Sequence, residues 1–510
     1  MNHRMRTSRR PRGTALIVAI ILLGVVATLG FTVLATTTTN LRNARLQYQD
    51  AISFNCAESG ADRALKWLRA QAMPPAGTSA VFPFGYTTTA LGDGAYFVTI
   101  YPDADNPGRT LKEYNVVSLG TCGDQSQTVA TVVRQSSFGK YAYFTDQEVS
   151  FTGSEIWFKT GETIDGPAHS NNRNGSNFNI NWVGSTTPIF LDMVTGSGSV
   201  IDWAPATPGS SADYHKIFAD GEYGFQLGVD EIPMPPSTDA QKNAAWGATS
   251  GFPSTNNVYL PVTGSTVTAG IYIRGDCTIQ FSVATGGHQD ITIVRGSDTF
   301  YVRVEQSLNQ TLFKKNSGSW TTYSGVPNGA IYCTGDITAL SGTIADNYVS
   351  GSDIVRRNAY TVATDVNGGN DITITNNLVY NTKPDKTEAS DSYDNLHAAT
   401  VGVLGRNVII ASGAPTNLEI DAQIVAGGEN VDDGSFYVNN YDSKTPTGNL
   451  NVLGGIIQKQ RGPVGTFNSS TGQSVSGYSK HYHYDPRMAD NPPPFFPTTG
   501  NYDRLSWRSW

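Results

Sequence analysis

The chain opens its patterning with an unbroken apolar run, Ala15 to Ala35, reading ALIVAIILLGVVATLGFTVLA without a charge. As a helix these residues would extend about 31 Å, close to the ~30 Å hydrocarbon core of a bilayer. The pattern then changes without a break. From Thr36 to Met73 there is no proline and one glycine, Gly60. Leu41, Ala44, Tyr48, Ala51, Phe54, Ala57, Ala61, Ala64, Leu65 and Leu68 recur at three- and four-residue spacing. That is the stripe of an amphipathic helix, and Pro74-Pro75 ends it. The two halves predict one helix over residues 14–75, membrane-spanning first and amphipathic after.

Period-two runs follow a Pro/Gly-rich connection from Pro74 to Gly85. Ala95–Tyr101, Tyr114–Leu119 and Thr128–Val133 read as three short antiparallel strands separated by turn residues. They predict a small β head over 81–138, laid on the helix stripe. Beyond Phe138 helical periodicity gives way to short β-rich runs punctuated by Gly, Asn and Asp. Residues 139–236 form one such region, and Pro233-Met-Pro-Pro236 reads as a linker or a chain crossing between sections. A repeat comes next: Ile271-Tyr-x-x-Gly-Asp276 matches Ile331-Tyr-x-x-Gly-Asp336. Related runs follow at Asp371, Asn407, Leu418 and Asn449. With Ile271, Ile273, Ile331, Ile372, Ile374, Ile409 and Ile420 pointing inward, they predict rungs of a right-handed parallel β-helix-like domain over 237–475. A β-sandwich is the competing arrangement. The aromatic, Pro-rich residues 476–510 read as a cap over an open end, with an aromatic glycan-binding surface as the alternative. The fold class is thus mainly β, with a long N-terminal helix and a small antiparallel sheet.

Composition narrows the class. Of 510 residues only 15% are charged, against about 25% usually, and 10% are aromatic. This suits an exported β protein and excludes a disordered chain. A net charge of −8 disfavours nucleic acid as a partner. Charge is unevenly placed: residues 1–13 carry Arg4, Arg6, Arg9, Arg10 and Arg12, and the first acid is Asp50. The basic leader keeps the N-terminus cytoplasmic and sends the remainder outward, so the chain is expected to be a single-pass inner-membrane protein. A cleaved secretory signal is the alternative, but its apolar region is usually about 7–15 residues.

Arg12-Gly13 set directly against an apolar helix resembles a prepilin leader, which implies a cut between Gly13 and Thr14. Ala51-Ile-Ser-Phe-Asn-Cys-Ala57-Glu58-Ser-Gly60 resembles the A-x-x-A-E-x-G signature of PilX-like type IV pilus assembly proteins. The resemblance spans residues 1–75. Val18 stands where most major pilins carry Glu, which implies a minor or accessory subunit. Residues Ile456–Gly465, Gly477–Arg487 and Pro492–Pro497 are similar to the closing part of a β-helical domain of unknown function that follows such N-termini in bacteria. The resemblance implies a non-enzymatic minor pilin or pseudopilin whose helix packs through Leu41, Ala44, Ala51, Ala57, Glu58 and Gly60. The partners implied are the inner membrane, other pilin-like subunits and the assembly machinery, with surface glycans a further candidate for an adhesive domain. For Glu58, a solvated helix position is the competing reading.

Candidate chemistry is sparse, and no cofactor, metal or catalytic residue is assigned. His481 and His483 share a strand face but lack a third ligand. Asp365-Val-Asn-Gly-Gly-Asn-Asp371 and Asp432-Asp-Gly434 read as turns. Arg274-Gly-Asp276 belongs to the repeat, whose second copy has Thr334. Cys277 and Cys333 align with Ile337 and Ile273 and read as buried thiols; Cys56 and Cys122 could clamp head to helix. A polysaccharide lyase or hydrolase is the alternative from another class, and a groove lined by three or more carboxylates would favour it.

Overall fold

The computed structural model describes residues 14–71, 87–102, 111–172, 175–183, 187–445 and 448–510. The chain divides into two compact units. One takes in the residues up to Asp105, Lys112–Arg134 and Tyr502–Trp510; the other is Gln135–Asn501 with Asn106–Leu111.

In the first unit α1 runs unbroken over Thr14–Arg69, 56 residues, about 84 Å at helical rise. Its sheet contains β1 (Thr89–Leu91), β2 (Gly94–Pro102), β3 (Glu113–Cys122) and β4 (Gln125–Ser137) in sequential antiparallel order. A further strand, Thr498–Ser509, adds beside β4, with Thr128 and Trp510 exchanging backbone hydrogen bonds. Alternation along β2 and β3 places Tyr96, Val98, Ile100, Tyr114 and Val116 against Ala57, Ala61, Ala64, Leu65 and Leu68 of α1. Of the residues 476–510 expected to form a cap, Thr498–Ser509 lie instead in the head sheet, and those up to His483 belong to the ladder strand Ser474–His483. Residues 498–509 complete the head sheet by pairing with the otherwise open edge of β4.

The second unit is built from parallel ladders. In the first, Ile271, Ile331, Val362, Val403, Ile424 and Ile456 stand in register on successive strands. The row then continues into an earlier part of the chain, through Tyr143, Ala168, Val194 and Phe225. Two more parallel ladders run through Cys277, Ile337, Ile372, Val408 and Phe436 and through Leu378, Ile420, Val452, Tyr482, Ile164 and Phe190. All three rows fill one core. The pairing is mixed, however. Between the two copies of the repeat, Cys277–Ala284, His288–Arg295, Asp298–Glu305, Gln310–Lys315 and Thr321–Ser324 form an antiparallel meander. The sheet is not closed, so the expected run of uniform rungs over 237–475 is corrected on two counts. A meander is inserted, and Tyr143–Gln147 follows Gly448–Gln460 in the ladder.

Residues 228–257 carry the chain back along the stack. Asn171 exchanges hydrogen bonds with Ile232 N and O, at 2.9 and 2.8 Å. Pro235 O accepts from Glu429 N, and Thr238 Oγ1 donates to Thr364 O. Further on, Ala244 O accepts from Asn328 Nδ2. These contacts fall on successively more distant rungs. Met234, Ala245 and Phe252 cover a second apolar row, Tyr272, Tyr332, Ala363, Leu404, Val425, Ile457 and Phe144. The first ladder is thus buried on both faces, which explains its near-continuous apolar strands.

Of the isoleucines expected inward, Ile271, Ile273, Ile331, Ile372, Ile374 and Ile420 are buried in the core. Ile409 is not. It pairs with Thr373 while Val408 and Ile410 face inward beside Ile372 and Ile374, a one-residue difference that reverses the side-chain face.

Candidate assembly helix and clefts

The two halves of α1 meet different surroundings. From Leu16 to Leu34 the large apolar side chains are exposed, Leu16 at 67% and Phe31 at 73%. This is one helix long and apolar enough to cross a membrane. Six threonines from Thr28 to Thr39 donate their hydroxyls to carbonyls one turn back, so that stretch presents few free polar groups. Contact with the head begins at Tyr48, whose hydroxyl donates to Asp93 Oδ2 at 2.9 Å, and at Asp50, which accepts from Gln127 Nε2 at 2.6 Å.

The residues singled out on the sequence separate into two groups. Leu41, Ala44 and Ala51 are exposed, whereas Ala57 and Gly60 are buried beneath the sheet. Ala57, Gly60, Ala61 and Ala64 let β3 lie on the helix backbone. A Cβ on Gly60 would sit 2.2 Å from Ser118 Oγ, and one on Gly120 would sit 1.9 Å from Ser53 O. The Ala-Glu-x-Gly signature therefore serves packing within this unit. Glu58 accepts from Trp507 Nε1 at 2.6 Å, and Phe54 meets the Trp507 ring edge-on at 6.3 Å. Its partner is the returning C-terminal strand, and nothing local to residue 58 signals that. Thr14 begins α1; Gly13 lies outside the described residues. Cys56 and Cys122 are buried free thiols beside the carbonyls of Leu91 and Asp93, and burial raises the Cys56 pKa.

In the second unit the Gly-Asp of the repeat joins a ladder. Asp276 Oδ1 accepts from Asp336 N at 2.9 Å, Asp336 Oδ1 from Asp371 N at 2.8 Å and Asp371 Oδ1 from Asn407 N at 3.0 Å. Asn407 Oδ1 then accepts from Ser435 N at 3.0 Å. Each side chain thus satisfies the backbone of the next rung. Arg406 holds Asp371 through two hydrogen bonds of 2.9 Å. Cys277 and Cys333 occupy the apolar slots expected of them, sulfur to sulfur 3.6 Å. Asp365 Oδ1 accepts from Gly368 N and closes the expected turn.

His169, in Gly166-Pro-Ala-His-Ser-Asn171, stacks on Phe144 and lies between Thr195 Oγ1 and Asn171 Oδ1. Burial pulls its pKa down to about 4. Arg461 and Glu148, both fully buried, pair at 2.8 Å with the guanidinium over Phe158. Nothing in the sequence pairs Arg461 with Glu148, because the two lie 313 residues apart.

Two concave regions stand out. A cleft of about 580 Å³ is lined by Asp165, Asp394, Asp485, Lys383, His483 and Arg487, among others. Two of its carboxylates are engaged by cations: Asp485 by Arg487 at 3.0 and 2.7 Å, Asp165 by Lys386 and by His483 at 3.6 Å. Beside it, buried Asp421 lies 3.5 Å from Lys383, and desolvation raises its pKa to about 6. His481 is half-buried and its pKa is lowered by burial. A smaller pocket of about 240 Å³ is walled by Trp157, Tyr441, Phe467 and Tyr478 above Glu162 and Lys480.

Residues 111–199 match the family model described as a domain of unknown function, DUF4900. No curated protein matches the chain. Among solved structures it is similar to the competence-associated pilin ComZ from Thermus thermophilus, at 17% identity over 91% of this chain and 98% of that one. The TM-score is 0.29, too low for that likeness to carry an argument.

Proposed function

We propose that the chain is a non-enzymatic, single-pass membrane protein of the minor-pilin or pseudopilin type. Its ladder-built unit, read as a right-handed parallel β-helix, serves surface presentation or adhesion. The observation that carries this reading is the division of α1. One side of its upper half is filled by the head, while the apolar surface from Leu16 to Leu34, continued by Leu41, Ala44 and Ala51, is bare. The membrane takes the first part. Neighbouring helices of pilin-like subunits take the second. Ala44→Glu and Ala51→Glu place a charge on that bare surface without entering any core. Each is expected to abolish co-purification with pilus components while leaving a protease-resistant second unit. Unchanged co-purification would reduce α1 to a tether. Cleavage after Gly13, read by N-terminal sequencing, tests the leader.

The carboxylate-lined cleft favours a second reading, polysaccharide cleavage by the carboxylates of its lining. Asp165→Asn and Asp394→Asn would then remove release of reducing ends from polysaccharide. The engagement of Asp165 and Asp485 by cations supports the non-enzymatic reading instead.

A further inference from the structure

We propose that the small pocket of the second unit binds one neutral sugar ring. This stands apart from the pilin reading, since every residue involved lies between Ser150 and Lys480. Trp157 and Phe467 are half-buried on the walls, and Val464 and Tyr478 are buried behind them. At the base Lys480, 6% exposed, donates to Glu162 Oε2 at 3.1 Å and to Trp157 O at 3.5 Å. These bonds use two of the ammonium's three donors; the Nζ also lies 5.3 Å over the Phe158 ring, and the third donor makes no hydrogen bond among the described residues. Glu162, 3% exposed, accepts through Oε2 from Lys480 and from Lys159 N at 3.2 Å. It offers acceptor capacity only.

The base therefore presents a donor and an acceptor side by side, under an apolar aromatic wall. A pyranose matches both. Its C–H face meets aromatic rings, and its vicinal hydroxyls can accept from the ammonium and donate to the carboxylate. An aromatic hydrocarbon would cover the ion pair without satisfying it, at a desolvation cost. A charged ligand gains little, because Glu155 and Glu162 balance Lys159 and Lys480 in the lining. A volume of about 240 Å³ lies below the range of drug-sized sites, which limits the occupant to a single ring at the end of a chain.

The full chain, kept in a zwitterionic detergent free of sugar, would be titrated with methyl glycosides of glucose, galactose, mannose and N-acetylglucosamine. Saturation-transfer NMR and tryptophan fluorescence would be read together. Saturable binding of at least one glycoside is expected in the range of about 1 mM. Trp157→Ala, Phe467→Ala and Lys480→Met should each weaken it about tenfold or more, and the two aromatic variants, which leave the Lys480–Glu162 pair in place, carry the test should Lys480→Met fail to fold. Absence of saturable binding up to about 50 mM for all four, or binding unchanged in Trp157→Ala and Phe467→Ala, would overturn the proposal.

Discussion

The two units bury comparable apolar patterns by different means. In the first, every sheet partner except the last strand is a sequence neighbour, and the helix meets β3 through Ala57, Gly60 and Gly120, where the backbones nearly touch. Fit there depends on the absence of side-chain atoms. In the second, strands tens to hundreds of residues apart lie in register. Rows of Ile and Val look alike at every rung, so hydrophobicity alone does not choose the register. Polar groups do: the half-exposed Asp276–Asp336–Asp371–Asn407 ladder along one edge, and the buried Asn171 clasp on Ile232 and Arg461–Glu148 pair. A local meander can rely on its turns, whereas a stack of distant strands needs polar groups that are satisfied in one alignment only.

The largest effect is expected from Arg461→Met. It leaves Glu148 buried and charged without its partner, a loss of about 3–5 kcal/mol confined to the second unit. Thermal melting followed by limited proteolysis should show that unit digested while the helix and head persist. Loss of the head instead would break the comparison.

Gly120→Val tests the other side. The added atoms meet the Ser53 carbonyl, and overpacking of this kind costs about 1–3 kcal/mol or more. Protease sites should open between α1 and β3 with the second unit intact.

Acid sharpens the contrast, because two buried groups of the second unit oppose each other. His169 is held neutral down to about pH 4, below its ordinary value near 6.5. The unfolded chain takes up that proton first, so stability falls as pH drops through the window. Asp421 keeps its proton up to about pH 6, above its ordinary value near 3.9. The unfolded chain releases it first, so stability falls as pH rises through nearly the same window. Each contributes about 3 kcal/mol by linkage, and the two largely offset. Melting of the native chain should be nearly flat from pH 4 to 6.5 from these two groups. Asp421→Asn should expose the His169 slope, with a loss of about 3 kcal/mol toward acid. A flat profile in that variant would count against the His169 assignment. The shifted groups of the first unit, Cys56 and the tyrosines Tyr48, Tyr114 and Tyr502, titrate in alkali, so this slope reports the second unit.

Asp336→Ala is the mildest test. It removes one hydrogen bond to Asp371 N at the half-buried edge of the ladder, about 1 kcal/mol. Amide exchange at Asp371 should quicken while α1 and β3 are unaffected.

The sequence by itself determined the long helix, its apolar first half, the three central head strands and the inward rows of isoleucine. Those features rest on periodicity within a dozen residues, where burial of one face leaves a repeat in the chain. It also placed Cys277 and Cys333 correctly, because the I-Y-x-x-G-D repeat carries the register. Ile409 went the other way, since three consecutive apolar residues, Val408-Ile-Ile410, have no local preference for a face. The tertiary structure alone decided that Thr498–Ser509 completes the head, that Trp507 takes Glu58, that Tyr143–Gln147 stacks beneath Gly448–Gln460, and that residues 228–257 run back over the tyrosine row. Each of these joins segments far apart in the chain. No local propensity encodes such a pairing; it is selected by the apolar face each segment leaves uncovered and by the few polar groups that find partners only when those faces meet.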